Sequence, residues 1–471
     1  MGIIDLTIKE LNQKIRKKEL KAVEVAEEFL KEIKKKEKKI KAFLEITTDL
    51  ALKQAEKVDE KIEKGEEISE IAGVPMACKD NILVEGKKCT AGSKILENYI
   101  ARYDATVIKK LKEKDFVMLG KTNMDEFAMG SSTENSAFQI TKNPLDLKRV
   151  PGGSSGGSAA AVSANESAYA LGSDTGGSVR QPAAFCGVVG LKPTYGSVSR
   201  FGLIAFASSF DQIGPITKTV GDNKIIYDII KGRDDFDSTS FSKQENKKEK
   251  KIIGVPKEFF KQGLDKEIKD KTLDFINKLS EQGYEIKEIS LPNSEYALSV
   301  YYIIVCSEAS SNLARFDGIR YGFSEKTAEN LKEIYFKTKG IGFGEEVRRR
   351  ILLGTYALSA GYYDAYYLKA QKIRNLIKKD FEEIFKNVDF ILAPVSPVLP
   401  FKIGEKTSDP LSMYLADIYT IPMNLVGVPA LSVPFSKIGK FPISVQIIGN
   451  YFDEEKLFEF GKIIENLREY D

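Results

Sequence analysis

The sequence predicts an α/β fold. Between residues 71 and 220, short apolar segments alternate with helical stretches at strand–helix spacing. The C-terminal half carries further buried-strand segments, FILAPV (390–395), ALSVPF (430–435) and ISVQIIG (443–449). No internal repeat is present. The second half therefore reads as more of the same sheet, and 1–471 is expected to form a single domain.

The elements follow in order. Residues 7–64 read as N-terminal helices. Thr7 precedes Glu10 at capping-box spacing, and Leu11 and Ile15 follow. A second helix starts near Ala22 with Val23, Ala26, Phe29, Leu30 and Ile33 on one stripe, and KEIKKKEKKIK (31–41) supplies a solvated face. IAGVPMACKDNI (71–82) reads as a strand leaving through Lys-Asp-Asn, and 104–119 as helix then strand. GGSSGGSAAAVSAN (152–165) is a Gly/Ser loop opening a small-residue helix. SAYALGSDTGGSVRQPAAFCG (167–187) is strand, tight Gly turn and helix. A charged connector at 233–251 reads as a surface insertion or hinge. Beyond it come a strand (251–256), a helix and strand (265–287), a mostly helical stretch (297–385) and an amphipathic helix (454–469).

Composition narrows the chemistry. Among 471 residues there is no histidine. That removes Ser-His-Asp and Cys-His constellations, His-ligated metal sites and imidazole pH switches. Proton transfer must run on Lys, Asp, Glu, Tyr, Cys or Ser. Lys plus Arg is 71 against 68 Asp plus Glu, so charge gives no case for direct nucleic-acid or membrane binding. Cys78, Cys89, Cys186 and Cys306 stand apart, without a CxxC pair, and read as small core residues. With no leader-like N-terminus and no membrane-length apolar run, a reduced cytoplasmic protein is expected.

Several motifs fail. GGSSG (152–156) matches a nucleophile elbow around Ser154, but that design needs a histidine. Gly120-Lys121-Thr122 resembles a P-loop end, yet the first glycine position holds Asp115. What remains is a larger pattern. Lys79 closes an apolar strand, and two Gly/Ser loops carry Ser154 and Ser178. A serine preceded by Thr-Gly-Gly at a helix mouth offers backbone N–H groups where an oxyanion can form.

These loops, in GGSSGGSAAAVSA and ALGSDTGGSVRQPAAFCGVVGLKPTYG, closely resemble the amidase signature family. The similarity continues through VPMACKDN, GKTNMDEFAMGSSTENSAFQITKNP, GLIAFASSFDQIGPI, SEASSNLARFDGIRYG, GTYALSAGYYDAYYLKAQKIR and SMYLADIYTIPMNLVGVPALSVP, over nearly the whole chain. The later segments are similar to one branch, the A subunits of tRNA-dependent amidotransferases.

The resemblance implies one large domain with a mixed central sheet covered by helices on both faces. It implies a Ser–cis-Ser–Lys triad: Ser178 as nucleophile, Ser154 as bridging serine after a cis peptide at Gly153, and Lys79 as base. A neutral lysine can serve as base if burial lowers its pKa. The N–H groups of Thr175, Gly176, Gly177 and Ser178 would hold the oxyanion. By segment matching, Arg350 would bind the α-carboxylate of glutamine and Asp417 its α-ammonium, with Tyr301 nearby. Ser131 would add hydrogen-bonding support to the triad. The chain itself would hold no metal or cofactor. ATP and magnesium would act at a partner B subunit, which takes most of the mischarged tRNA, and B and C subunits would complete a heterotrimer. The branch implies glutamine hydrolysis that feeds ammonia to conversion of Glu-tRNA(Gln), or also Asp-tRNA(Asn). Two rival readings are a free-standing amidase for small, aryl or fatty amides, and an inactive scaffold of a tRNA-modifying complex.

Overall fold

A computed structural model describes residues 2–241, 251–261 and 263–469. Most of the charged connector, 242–250, lies outside the described residues; its first part is tied down by the Arg200–Asp237 ion pair and by Ser199 donating to Asp234.

One mixed sheet of 11 strands runs through the chain. The strands are β1 (Phe43–Ile46), β2 (Pro75–Lys79), β3 (Val117–Thr122), β4 (Tyr169–Asp174), β5 (Val189–Lys192) and β6 (Gln212–Thr217). They continue with β7 (Ile252–Pro256), β8 (Glu285–Ile289), β9 (Phe390–Pro394), β10 (Ala430–Ile438) and β11 (Phe441–Ile448). The spatial order is β1-β3-β2-β4-β6-β5-β10-β11-β9-β7-β8. Antiparallel pairing of β5 with β10 joins the halves, so the C-terminal strands extend the same sheet.

Alternate strand residues enter two separate cores, as a period of two requires. In β9, Phe390 and Leu392 join one core while Ile391 and Ala393 join the other. In β10, Leu431 and Val433 face the first and Ala430 the second. The N-terminal helices Ile8–Arg16 and Ala22–Ile40 cover the first core with Leu11, Ile15, Val25 and Phe29. The helix Ala297–Leu313 covers the second with Val300, Tyr301 and Ile304. Helices therefore lie on both faces.

The Thr7 cap forms as its sequence indicates: Thr7 Oγ1 accepts from Glu10 N at 3.2 Å and Glu10 reaches back to Thr7 N at 2.8 Å. The reading of 7–64 as helical needs one correction. Lys41 turns left-handed (φ +59°) and ends the second helix, and Phe43–Ile46 then adds the edge strand β1 to β3. A four-residue strand specified by a partner so distant in sequence has no local signature.

Strands β2 and β4 are parallel neighbours, so Lys79 and Asp174 end at the same edge of the sheet. Loops leaving carboxyl ends of strands are the common place for a site in α/β sheets.

Candidate active site

Lys79 is the last residue of β2 and is completely buried. Its Nζ lies 2.8 Å from Ser154 Oγ, 2.8 Å from Ser155 Oγ and 2.9 Å from Ser173 Oγ. Burial pushes its pKa down to about 7, against the opposing pull of Asp125, Asp174 and Asp211. Ser155 Oγ donates to Ser173 O (3.2 Å), so it accepts from Lys79. Ser173 Oγ accepts from Asn81 Nδ2 (2.9 Å) and stands ready to accept the second lysine N–H. Ser173 O is a further acceptor at 3.2 Å, so the two N–H groups of a neutral amine can be satisfied while its lone pair accepts from the Ser154 hydroxyl.

Ser154 is reached through a cis Gly153–Ser154 peptide bond. Space at Gly153 is short: a Cβ there would stand 2.2 Å from Asp125 Oδ2 and 2.6 Å from Ser132 N. Ser178 follows β4 and is 6% exposed, whereas Ser154 is fully buried. The structure ties the two loops together through Ser155 N donating to Ser178 O at 3.1 Å. Among the described residues the Ser178 hydroxyl has no hydrogen bond within the protein, so the direct contact is between Lys79 and Ser154.

Asp174 organises the turn that carries Ser178. It forms a buried ion pair with Arg180 (Nε–Oδ2 3.1 Å) and accepts from Asn424 Nδ2 at 2.9 Å. Burial alone would raise its pKa, but Arg180 overrides this and holds it at about 2. The Asp174 carboxylate also accepts from Gly177 N at 2.8 Å and Val179 N at 3.2 Å. This corrects the expected oxyanion donors: the Gly177 N–H is already committed. Among the described residues, no hydrogen bond within the protein engages the N–H of Thr175, Gly176 or Ser178. The Thr175 side chain is anchored on Asp211 at 2.7 Å.

Both glycines of the turn are spatially required. A Cβ at Gly176 would stand 2.5 Å from the Tyr301 hydroxyl. At Gly177 (φ +136°) it would stand 2.2 Å from Thr420 Oγ1. Tyr301 thus covers the turn, braced edge-on by Phe210 and Tyr302.

Arg350 departs from its neighbours. Arg348 is exposed, but Arg350 is only 3% exposed. Its Nε donates to Glu346 Oε1 at 2.8 Å, and its guanidinium lies within 5.1 to 5.6 Å of the rings of Tyr302, Tyr414 and Phe206. The Tyr414 hydroxyl donates to the same Glu346 oxygen at 2.6 Å, and Arg349 pairs with Glu346 Oε2. Asp417 is buried at the end of a short turn, and Ser131 Oγ donates to its Oδ2. Its Oδ1 is buried without a hydrogen-bond partner in the protein. Burial pushes its pKa up to about 7. Ser131 therefore supports Asp417, where support of the triad was expected.

Sequence reasoning missed Ser155, Ser173, Asn81, Gln181, Glu346, Tyr302, Tyr414, Thr420 and Asn424. Ser155 and Asn81 stand beside the motif residues, so adjacency was an available signal. Ser173 and Gln181 lie inside the quoted Gly/Ser motif, and Tyr302, Glu346, Tyr414 and Thr420 stand within four residues of Tyr301, Arg350 or Asp417; what sequence could not show is which of these side chains point into the site. All four cysteines are buried. Among the described residues no helix is long and apolar enough to cross a membrane.

Known proteins resemble this chain over nearly its whole length. Residues 24–458 match the family model described as Amidase. The chain is 55% identical to the A subunit of glutamyl-tRNA(Gln) amidotransferase from Persephonella marina, over 98% of this chain and 97% of that protein. It is also 55% identical to the protein of the same name from Carboxydothermus hydrogenoformans, over 100% and 99%. A crystal structure of the A subunit of glutamyl-tRNA(Gln) amidotransferase from Thermotoga maritima superposes with a TM-score of 0.81 at 43% identity, covering 100% of this chain and 96% of that one. The chain belongs to the amidase family.

Proposed function

We propose that this protein is the glutaminase subunit of a tRNA-dependent amidotransferase and works through Ser178, Ser154 and Lys79. The observation that carries the reading is the Lys79–Ser154 contact at 2.8 Å around a fully buried lysine whose pKa is lowered to about 7. Such a lysine is neutral in a large fraction of molecules at neutral pH and can accept a proton. Ser178 Oγ attacks the side-chain carboxamide carbon of glutamine. Its proton passes to Ser154, whose own proton passes to Lys79. The N–H groups of Thr175, Gly176 and Ser178 receive the oxyanion; each such donor typically contributes about 10²–10³ in rate. The tetrahedral adduct collapses, the proton returns through Ser154, and ammonia leaves from an acyl-enzyme on Ser178. Water then attacks the ester along the same proton path, and glutamate is released.

The substrate ends fit the two charged residues above the turn. Arg350, fixed by Glu346 and three aromatic rings, takes the α-carboxylate. Asp417, with Oδ1 unpartnered, takes the α-ammonium. Tyr301 closes the space over Gly176. Relatives of this length and identity are named as A subunits of glutamyl-tRNA(Gln) amidotransferase, which supports B and C partners. The ammonia would convert Glu-tRNA(Gln), with ATP and magnesium at the B subunit, in the cytoplasm. Nothing favours the free-standing amidase or the inactive scaffold.

The test is ammonia release from glutamine by the chain, alone and with B and C partners. Absence of release under both conditions sinks the proposal. Ser178→Ala should abolish glutamine-dependent transamidation and spare the reaction supplied with free ammonia. Loss of both would make Ser178 structural.

A further inference from the structure

A side chain that contacts neither the triad hydroxyls nor the acid of the proposed substrate site links the two. Gln181 is completely buried in the helix Arg180–Cys186. Its Nε2 donates to Ser131 O at 3.0 Å, and its Oε1 accepts from Gly153 N at 3.0 Å. The orientation of the amide is fixed by chemistry. Gly153 offers only a donor and Ser131 O only an acceptor, so one amide group satisfies both in one orientation. Ser131 in turn donates its hydroxyl to Asp417, and Gly153 precedes Ser154. The backbone N–H of Gln181 is held by Gly177 O at 2.8 Å, one residue before Ser178. There is no slack around the amide: a Cβ at Gly152 would stand 2.4 Å from Gln181 Oε1.

We infer that Gln181 is a positioning residue that couples the α-ammonium of the substrate, bound at Asp417, to the placement of Ser154 beside Lys79. The inference rests on the glutaminase reading and deepens it. A bound ammonium pairs with Asp417 through Oδ1 and strengthens the hold of the carboxylate on Ser131; without it the Ser131 hydroxyl alone ties Asp417 to this chain of contacts. Gln181 carries a displacement of Ser131 to Gly153 because one rigid amide group makes both hydrogen bonds. Substrates with the right carboxamide but no α-amino group are thereby turned over slowly as well as bound weakly. This is selection at the chemical step.

The experiment uses the assembled complex and two amides: glutamine, and 4-carbamoylbutanoate, which keeps the carboxamide and carboxylate but lacks the ammonium. Steady-state kcat and KM are measured for wild type and Gln181→Met. That variant keeps the length of the side chain, adds no charge near Lys79 and removes the hydrogen bonds to Ser131 O and Gly153 N. The wild type should show a higher kcat for glutamine than for the analogue. In Gln181→Met, kcat for glutamine should fall about tenfold to a hundredfold, as for a misplaced catalytic group. The analogue should change by less than about threefold, so that the kcat preference disappears. Ser131→Ala breaks the neighbouring link without touching Gln181. It should erase the same preference, and the double variant should be no worse than either single one. Equal losses on both amides in both variants would make Gln181 merely structural and overturn the inference, as would a wild type with no kcat preference. A wild type that hydrolyses neither amide overturns the glutaminase reading itself, a result distinct from the loss of coupling.

Discussion

Replacing Asn81 with aspartate tests the lysine base without touching the triad. Asn81 Nδ2 donates to Ser173 Oγ at 2.9 Å, and Lys79 Nζ donates to the same oxygen at 2.9 Å. A carboxylate at position 81 therefore stands within about 6 Å of the ammonium. At an effective dielectric constant near 20, that separation stabilises the charged lysine by about 3 kcal/mol. This is about two pH units. The direction follows from the charge: a nearby anion favours protonated Lys79, and the protonated form is useless as a base. Lys79 titrates at about 7 in the native protein. The limb of kcat/KM for glutamine hydrolysis should therefore rise with unit slope and turn over at about pH 7. In Asn81→Asp the turnover point should move to about pH 9, with activity at pH 7 down about fiftyfold or more and largely restored near pH 10. The assay is ammonia release across that range, with substrate saturation checked at each pH. A variant whose activity is uniformly lower, with the limb still near pH 7, would refute the assignment of that limb to Lys79.

Two further predictions concern the substrate cage and the turn. Arg350→Lys keeps the charge but loses the planar fork and the ring stacking. KM for glutamine should rise about tenfold or more, as expected for about 1.4 kcal/mol of lost binding. Arg350→Ala should also lower the melting temperature, since it removes one charged hydrogen bond to the buried Glu346, which Arg349 and Tyr414 still hold, at a cost of about 1.5–3 kcal/mol; an unchanged melting temperature would count against the Arg350–Glu346 pairing. Gly177→Ala places a Cβ 2.2 Å from Thr420 Oγ1 at φ +136°. It should lower kcat about a hundredfold. Gly65→Ala, with nothing within 4 Å of the new Cβ at φ +74°, should cost only about 1 kcal/mol of stability. Comparable kcat losses in both would show that the turn is not special.

The elements legible in the sequence are those specified over a few residues. The Thr7–Glu10 cap, the small-residue helix after Gly153-Ser154, the buried strands and the strand ending at Lys79 all depend on local chemistry or on a period of two or 3.6. The missing histidine restricted the proton acceptor, and the two Gly/Ser loops identified its partners. What the sequence could not decide is pairing across long separations. Ser131 and Asp417 are 286 residues apart, and only the folded sheet brings them into contact. Arg350 is one of three consecutive arginines, and only packing separates it from the exposed Arg348 by placing it in a cage of Glu346 and three rings. Gly177 reads as a free oxyanion donor until the Asp174 carboxylate takes its N–H. The reason is the same in each case. Local sequence sets which groups can donate, accept or bury, whereas competition among distant partners, settled by close packing, sets which of them remain free to meet a substrate.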